Sequence, residues 1–372
     1  MTHHETYMKR AIELASKGLG SVNPNPLVGA VIVKDGRIIG EGYHKVFGGP
    51  HAEVEAFNHA VEDVEGADMY VTLEPCSHYG KTPPCALKII EKKIKNVYIS
   101  QLDPNPLVNH QGVDLLRNAG IRVEYGILES ESKKQNEIFL SYIQGKRPFV
   151  AMKYAMTIDG KIATYQGDSK WISNEKSRRF VHELRHQYMS IMVGVQTVID
   201  DDPHLDTRRN ELSRNPIRVI IDPNLRTPID AYVVKTANTQ KTIIVTSLDV
   251  DQNRLEAYLE KGVEIIKKEA NPFINLDHLM DDLGKLGIDS VLIEGGSYLH
   301  GKALDMNIVH KVYAFIAPKI IGSKDAKTAV HGNGILKMSD AIQLKNVTHH
   351  ILDGDILIEG YIKEQQEAYN EI

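Results

Sequence analysis

The chain has 372 residues, 42% hydrophobic and 25% charged, with seven Phe and one Trp; at roughly 100 to 200 residues per domain, that predicts two soluble globular domains, each able to bury a core. No apolar run approaches the roughly 18 residues needed to span a bilayer, and Met1-Thr-His-His-Glu5 lacks the basic and apolar regions of a signal peptide. A net charge of −5 argues against a global field for nucleic-acid phosphates, and two cysteines in so long a chain point to a reducing compartment, so a cytoplasmic location is expected.

Residues 5 to 17 carry helical periodicity, with Tyr7, Met8, Ile12, Leu14 and Ala15 apolar and Gly18 and Gly20 beyond the end. Strands over 28–33 and 37–40 flank Lys34-Asp35-Gly36, a hairpin signal. Pro50-His51 opens a helix running from Ala52, a strand covers 68–73 and stops at Pro75, and Cys85 enters a helix behind Pro83-Pro84. A strand at 96–100, a helix near 113–118 and a strand at 121–124 complete a layered α/β pattern. The polar stretch Gln144-Gly-Lys-Arg-Pro148 interrupts it, which divides the chain into 1–145 and 146–372. Strands are then expected near 149–155, 191–194, 217–222, 242–246, 263–266, 290–293, 311–316 and 355–362, several separated by helices.

His51-Ala52-Glu53, followed by Pro75-Cys76 and Cys85, places both cysteines beside a histidine and an acid. A catalytic zinc keeps three protein ligands and an open position for water, which His51, Cys76 and Cys85 satisfy. Glu53, two residues after the histidine, does not share its helical face, so it suits proton transfer better than ligation. Histidine-x-glutamate with proline-cysteine and a second cysteine is the general zinc base-deaminase signature, although eight residues instead of two separate the cysteines. That insert holds His78 and Lys81, a cationic pair suited to a phosphate. A structural zinc closed by His44 or His78, a Cys76–Cys85 disulfide, and an insert that is only a solvated turn are the competing readings.

The second half says less by itself. Strand Ser290-Val-Leu-Ile293 runs into Glu294-Gly-Gly-Ser-Tyr-Leu-His-Gly-Lys302, whose glycines suit either an anion held by backbone amides or a plain tight turn. Ala303 stands where a P-loop needs a hydroxyl, and no early glycine-x-glycine-x-x-glycine follows a strand, so neither an ATPase nor a standard dinucleotide fingerprint is indicated.

Asn25-Pro-Leu-Val-Gly29, His51-Ala-Glu-Val-Glu55 and Thr72-Leu-Glu-Pro-Cys-Ser-His-Tyr-Gly-Lys-Thr-Pro-Pro-Cys85 resemble, in order, the bifunctional riboflavin-biosynthesis deaminase/reductases of bacteria. In the second half, Thr157-Ile-Asp-Gly-Lys-Ile-Ala163, Gly167-Asp-Ser-Lys-Trp-Ile172, residues 194–203, Arg218-Val-Ile-Ile-Asp222 and Glu294-Gly-Gly296 resemble that family's reductase motifs. The resemblance implies a cytidine-deaminase-like three-layer sandwich followed by a dihydrofolate-reductase-like domain. It implies a zinc-dependent deaminase acting on a diaminopyrimidinone ribosyl phosphate, joined to an NADPH-dependent reductase that opens the ribose to ribityl. By position, His51, Cys76 and Cys85 would bind one zinc, Glu53 would shuttle protons, and Asn25, His44, His78 and Lys81 would hold the substrate. Ala155, Trp171, Thr197, Asp201 and the loop Gly296, Ser297, Tyr298, Leu299, His300, Gly301 and Lys302 would contact NADPH, while Ser169, Arg185, Leu205, Arg208 and Glu294 would contact the sugar phosphate. Glu55 is a departure, since many relatives have histidine there. A homo-oligomer with small-molecule substrates, and neither nucleic acid nor membrane as partner, is expected; a nucleoside or nucleic-acid base deaminase with an unrelated second domain is the alternative.

Overall fold

The computed structural model describes residues 2–77, 79, 83–105, 109–209, 213–270, 272–332 and 334–362. The chain forms two compact units, Met1–Lys146 and Arg147–Ile372. Among the described residues, no helix is long and apolar enough to cross a membrane.

The first unit runs α1 (His3–Ser16), β1 (Gly29–Lys34), β2 (Arg37–Tyr43), α2 (Ala52–Asn58), β3 (Asp68–Leu73), α3 (Cys85–Glu91), β4 (Asn96–Gln101), α4 (Gln111–Asn118), β5 (Arg122–Tyr125), α5 (Glu129–Gln135) and α6 (Glu137–Gly145). Its sheet has the order β2-β1-β3-β4-β5. The β1–β2 hairpin turns at Asp35-Gly36, β1 and β3 are antiparallel, and β3, β4 and β5 are parallel. Side chains alternate across the pleat, so each strand supplies both faces. Val31, Val33, Tyr70 and Tyr98 pack on Tyr7, Met8, Ala11 and Leu14 of α1, whereas Ala30, Ile32, Val71, Val97 and Ile99 pack on α2, α3 and α4. The result is a helix–sheet–helix sandwich.

Two contacts set the site end of this unit. A Cβ on Gly42 would lie 2.3 Å from the Ala56 nitrogen and 2.4 Å from the Ala52 oxygen, so α2 rests its backbone directly on β2. At the start of β1, the buried Asn136 side chain accepts from the Leu27 N–H at 2.8 Å and donates to the Leu27 carbonyl at 3.0 Å. Because β1 runs against β2 and β3, residues entering β1 and leaving β2, β3 and β4 all gather at one end of the sheet.

The second unit runs β6 (Phe149–Thr157), α7 (Glu175–Gln187), β7 (Ser190–Gly194), α8 (Val195–Asp201), β8 (Ile217–Ile221), α9 (Tyr232–Lys235), β9 (Thr242–Ser247), α10 (Gln252–Glu260), β10 (Glu264–Lys268), α11 (Leu276–Lys285), β11 (Ser290–Gly295), α12 (Ser297–Asp305), β12 (Lys311–Ala317), β13 (Leu344–Leu352) and β14 (Asp355–Ile362). Its sheet has the order β10-β9-β8-β7-β11-β6-β12-β14-β13, parallel through β12 and antiparallel for the last two strands. Val150, Met152, Met192, Val245 and Ile293 pack on α11 and α12, and Ile191, Val193, Ile220 and Ile244 pack on α8, α9 and α10. The apolar runs predict eight of these strands and miss β13, Leu-Lys-Asn-Val-Thr-His-His-Ile-Leu352, which is largely exposed at the sheet edge and shows no buried alternation. Helices α5 and α6 also lie outside the sequence-based pattern; α5, Glu-Ser-Glu-Ser-Lys-Lys-Gln135, buries only Ser132.

Candidate functional site

In the first unit the site grows from three element ends. His51 is the extended N-cap of α2, Cys85 is the first residue of α3, and Cys76 lies just past β3. The His51, Cys76 and Cys85 donor atoms all lie within 4.8 Å of one another. The His51 Nδ1 is 3.6 Å from the Cys76 sulfur and 3.3 Å from the Cys85 sulfur. Tetrahedral zinc with bonds of about 2.3 Å to sulfur and about 2.0 Å to nitrogen implies S···N edges of about 3.5 Å, so this donor set fits the ion. Both cysteines are free thiols, not a disulfide.

Crowding these donors has electrostatic consequences. The neighbouring Cys85 thiol, then His51 and the Cys85 N–H, hold Cys76 far below the ordinary thiol range, while Cys76 and burial drive Cys85 far above it. Hydrogen bonding to Cys76, opposed by burial, lifts His51 to about 8. Glu53, 3% exposed in the first turn of α2, is pushed up to about 7, mainly by burial and then by Cys76.

Beside them lies His44, just beyond β2, with its ring centroid 5.8 Å from that of His51. His44 Nδ1 is 2.9 Å from the Pro50 carbonyl, so Nδ1–H donates and Nε2 is left to accept from the Asn25 amide at 3.1 Å. Burial lowers its pKa, which favours this neutral tautomer. With both nitrogens engaged, His44 is no fourth ligand, which removes it from the closed-zinc reading. Glu55 turns away from the ligand set, onto Lys45 and His59. His78 and Lys81 lie outside the described residues.

The second constellation gathers around Glu294, near the carboxyl end of β11. Arg185, in the last turn of α7, donates from Nε and Nη2 to the two Glu294 oxygens at 2.6 and 2.9 Å, and from Nη1 to the Asp206 carbonyl at 3.0 Å. Lys153 on the neighbouring strand β6 brings its Nζ to 3.8 Å from Glu294. Burial alone would raise the Glu294 pKa, but Arg185 and Lys153 outweigh it and hold the carboxyl at about 2. Burial lowers Lys153. Arg208 joins through Asp206, its Nε donating to Oδ1 at 3.0 Å and its backbone N–H to His182 Nδ1 at 3.2 Å. Leu205, buried and at φ 54, precedes that pair. Lys153 escaped the sequence analysis, although a lysine inside Phe149-Val-Ala-Met-Lys-Tyr-Ala-Met156 was the available signal.

The turns after β7 and β11 abut: a Cβ on Gly296 would lie 3.5 Å from the Thr197 hydroxyl, and one on Gly194 would lie 4.0 Å from the Gly296 nitrogen. Ala155 lies on β6, paired with Phe315 of β12, and Asp201 ends α8, exposed. Gly296 to Lys302 is not a loop, because α12 begins at Ser297 with Gly296 as its N-cap. Leu299 joins the core, His300 Nδ1 is 2.9 Å from the Ala329 carbonyl, Gly301 is buried, and Lys302 pairs with Asp305 at 3.1 Å. Tyr298 is partly exposed. Trp171 is 64% exposed, with the Arg178 guanidinium 4.6 Å from its ring centre, and Ser169 lies half-buried in the same segment.

Comparison with known proteins matches residues 1–101 to the cytidine and deoxycytidylate deaminase zinc-binding region and residues 148–358 to the RibD C-terminal domain. The chain is 49% identical over 354 residues to the riboflavin biosynthesis protein RibD of Actinobacillus pleuropneumoniae, covering 95% of this chain and 94% of that one. It is 39% identical to the Escherichia coli protein of the same name, over 92% of this chain and 94% of that one. Among solved structures, it resembles a diaminohydroxyphosphoribosylaminopyrimidine deaminase/5-amino-6-(5-phosphoribosylamino)uracil reductase of Thermotoga maritima, with 44% identity, coverage of 97% and 99%, and a TM-score of 0.86. It also resembles RibD of Acinetobacter baumannii, with 36% identity, coverage of 97% and 98%, and a TM-score of 0.88.

Proposed function

From the premise that the chain belongs to the RibD family of bifunctional riboflavin-biosynthesis deaminase/reductases, we propose how its two constellations divide the work. The chain is a zinc-binding deaminase and a reductase, its first unit a cytidine-deaminase-like sheet domain and its second a RibD reductase domain of dihydrofolate-reductase-like fold. In our reading residues 1–145 deaminate 2,5-diamino-6-ribosylamino-4(3H)-pyrimidinone 5′-phosphate, and residues 146–372 reduce the ribosyl group of the resulting 5-amino-6-(5-phosphoribosylamino)uracil to ribityl.

The observation that carries the first half is one imidazole and two sulfurs from three separate elements converging beside a buried acid. When bound there by His51, Cys76 and Cys85, zinc supplies the Lewis acidity that lowers the pKa of water from about 15.7 toward roughly 7. Glu53, buried in the first turn of α2 beside the ligands, takes the proton of the attacking water and delivers it to the departing amino group, which leaves as ammonia. Neutral His44, fixed by the Pro50 carbonyl, orients the Asn25 amide, which in our reading binds the pyrimidine. His78 and Lys81 take the phosphate.

In the second unit, the ring-opened ribosylamine presents a C1′=N bond. Ala155, Trp171, Thr197, Asp201 and the Gly296–Lys302 turn and helix would hold NADPH, which bound there would supply a hydride for C1′. A proton must reach the nitrogen, and Lys153, with its lowered pKa, is the member of the Glu294 cluster able to release one; Arg185 stays charged. Arg185, Arg208, Ser169, Leu205 and Glu294 orient the sugar phosphate.

Incubation of the purified chain with the diaminopyrimidinone ribosyl phosphate tests the scheme. Ammonia is expected without NADPH, and NADPH oxidation once the cofactor is added; ammonia release that requires NADPH would overturn it. A cytoplasmic homo-oligomer is part of this proposal, with light scattering as its check. A nucleic-acid deaminase with an unrelated appendage is set aside because the second unit matches the RibD C-terminal domain.

A further inference from the structure

We propose that Glu74 is a positioning residue for the metal centre: its carboxylate pins the Cys76 segment to the amino end of α4 and so presets one of the two sulfurs. The inference rests on the zinc reading above.

Glu74 continues β3 by one rung, its N–H donating to the Gln101 carbonyl at 3.0 Å. Its side chain, only 4% exposed, then accepts four backbone N–H groups. Oε1 takes those of Gly112 at 2.9 Å and Val113 at 3.2 Å, and Oε2 takes those of His110 at 3.2 Å and Asp103 at 3.3 Å. The first N–H groups of a helix have no partner within it, and the N-cap of α4, His110, offers no side-chain bond. A carboxylate from another element therefore caps this helix and meets the positive end of its dipole. The following residue is clasped as well, since a Cβ on Gly112 would come within 2.1 Å of the Pro75 carbonyl. Cys76 comes next. From the opposite side, its carbonyl accepts the Ala86 N–H at 3.2 Å and its sulfur accepts the Cys85 N–H at 3.3 Å. The sulfur is thus suspended between α4, through Glu74 and Pro75, and α3. Release of either anchor lets it leave the ligand triangle while every ligand remains present.

A stabilising role alone would change melting and leave the metal untouched, so the test reads the metal. Glu74→Gln keeps the size of the side chain but turns a donor group toward backbone donors; Gly112→Ala displaces Pro75 from the α4 side. In full-length protein loaded with zinc, extraction by excess chelator should be about ten- to a hundredfold faster in both variants. The thiolate charge-transfer bands of the cobalt-substituted protein should shift, and NADPH oxidation with pre-deaminated substrate should stay within about twofold. The double variant should fall short of the product of the two effects, because both act on one contact. Wild-type extraction rates and cobalt spectra in both variants, or in Gly112→Ala if Glu74→Gln does not accumulate, would overturn the proposal whatever happens to stability. Wild-type protein lacking stoichiometric zinc would bring down the metal reading itself, a result distinguishable from the former.

Discussion

The two constellations handle charge in opposite ways. Around Cys76 and Cys85, two thiols are pressed together, and their pKa values are driven apart chiefly by the hydrogen bond between them and by burial, with His51 adding its pull on Cys76. Around Glu294, opposite charges are already matched: Arg185 closes a two-point fork on the carboxylate and Lys153 stands by. The first arrangement is completed by a cation from outside, whereas the second is internally neutralised and leaves only part of its donors for a substrate. Metal removal should therefore cripple one unit and spare the other.

The largest effect tests that separation directly. Cys76→Ser should abolish stoichiometric zinc and depress ammonia release about a thousandfold or more, with NADPH oxidation on the deaminated substrate within about twofold of wild type. Metal analysis beside the two assays checks it, and parallel loss of both activities would break the comparison. Glu53→Gln should keep the zinc and slow ammonia release by about 10²- to 10⁴-fold, separating proton transfer from metal retention.

A pH titration sharpens the other side. The Glu294 carboxyl lies at about 2 in the folded chain against an ordinary value of 4.5. A depressed carboxylate contributes stability that is fully present above pH 4.5 and is lost as pH falls from there toward 2; the shift corresponds to about 3 kcal/mol. The urea midpoint followed by emission of Trp171, the chain's one tryptophan, should drop across that window. Glu294→Gln should flatten the drop and lower the midpoint at pH 7, since Arg185 is left buried without its counter-ion. The smallest effect is expected from Glu55→His: the side chain faces Lys45 and His59, so zinc content should hold and ammonia release change less than about twofold.

The metal centre was legible in the sequence because cysteine is rare in this chain and its ligands fall within 35 consecutive positions, 51 to 85. The Glu294 cluster was not legible from the residues alone. Its members come from β6, α7, the 205–208 segment and β11, and arginine, lysine and glutamate are common on any surface, so resemblance to a family supplied Arg185 and Glu294 but not Lys153. Buried apolar strands were readable by their runs, while β13, open to solvent, carried no such imprint. Glu74 read only as part of a motif, since what it caps lies across the fold.

The grip of Asn136 on Leu27 spans 109 residues and closes far beyond position 101, where the recognisable zinc-binding region ends. That region is consequently a chemical module but not an autonomous one. Cut free at its own boundary, it would lose the latch that seats the strand entrance beside Asn25, and a minimal deaminase has to carry the chain at least through Asn136, past α5.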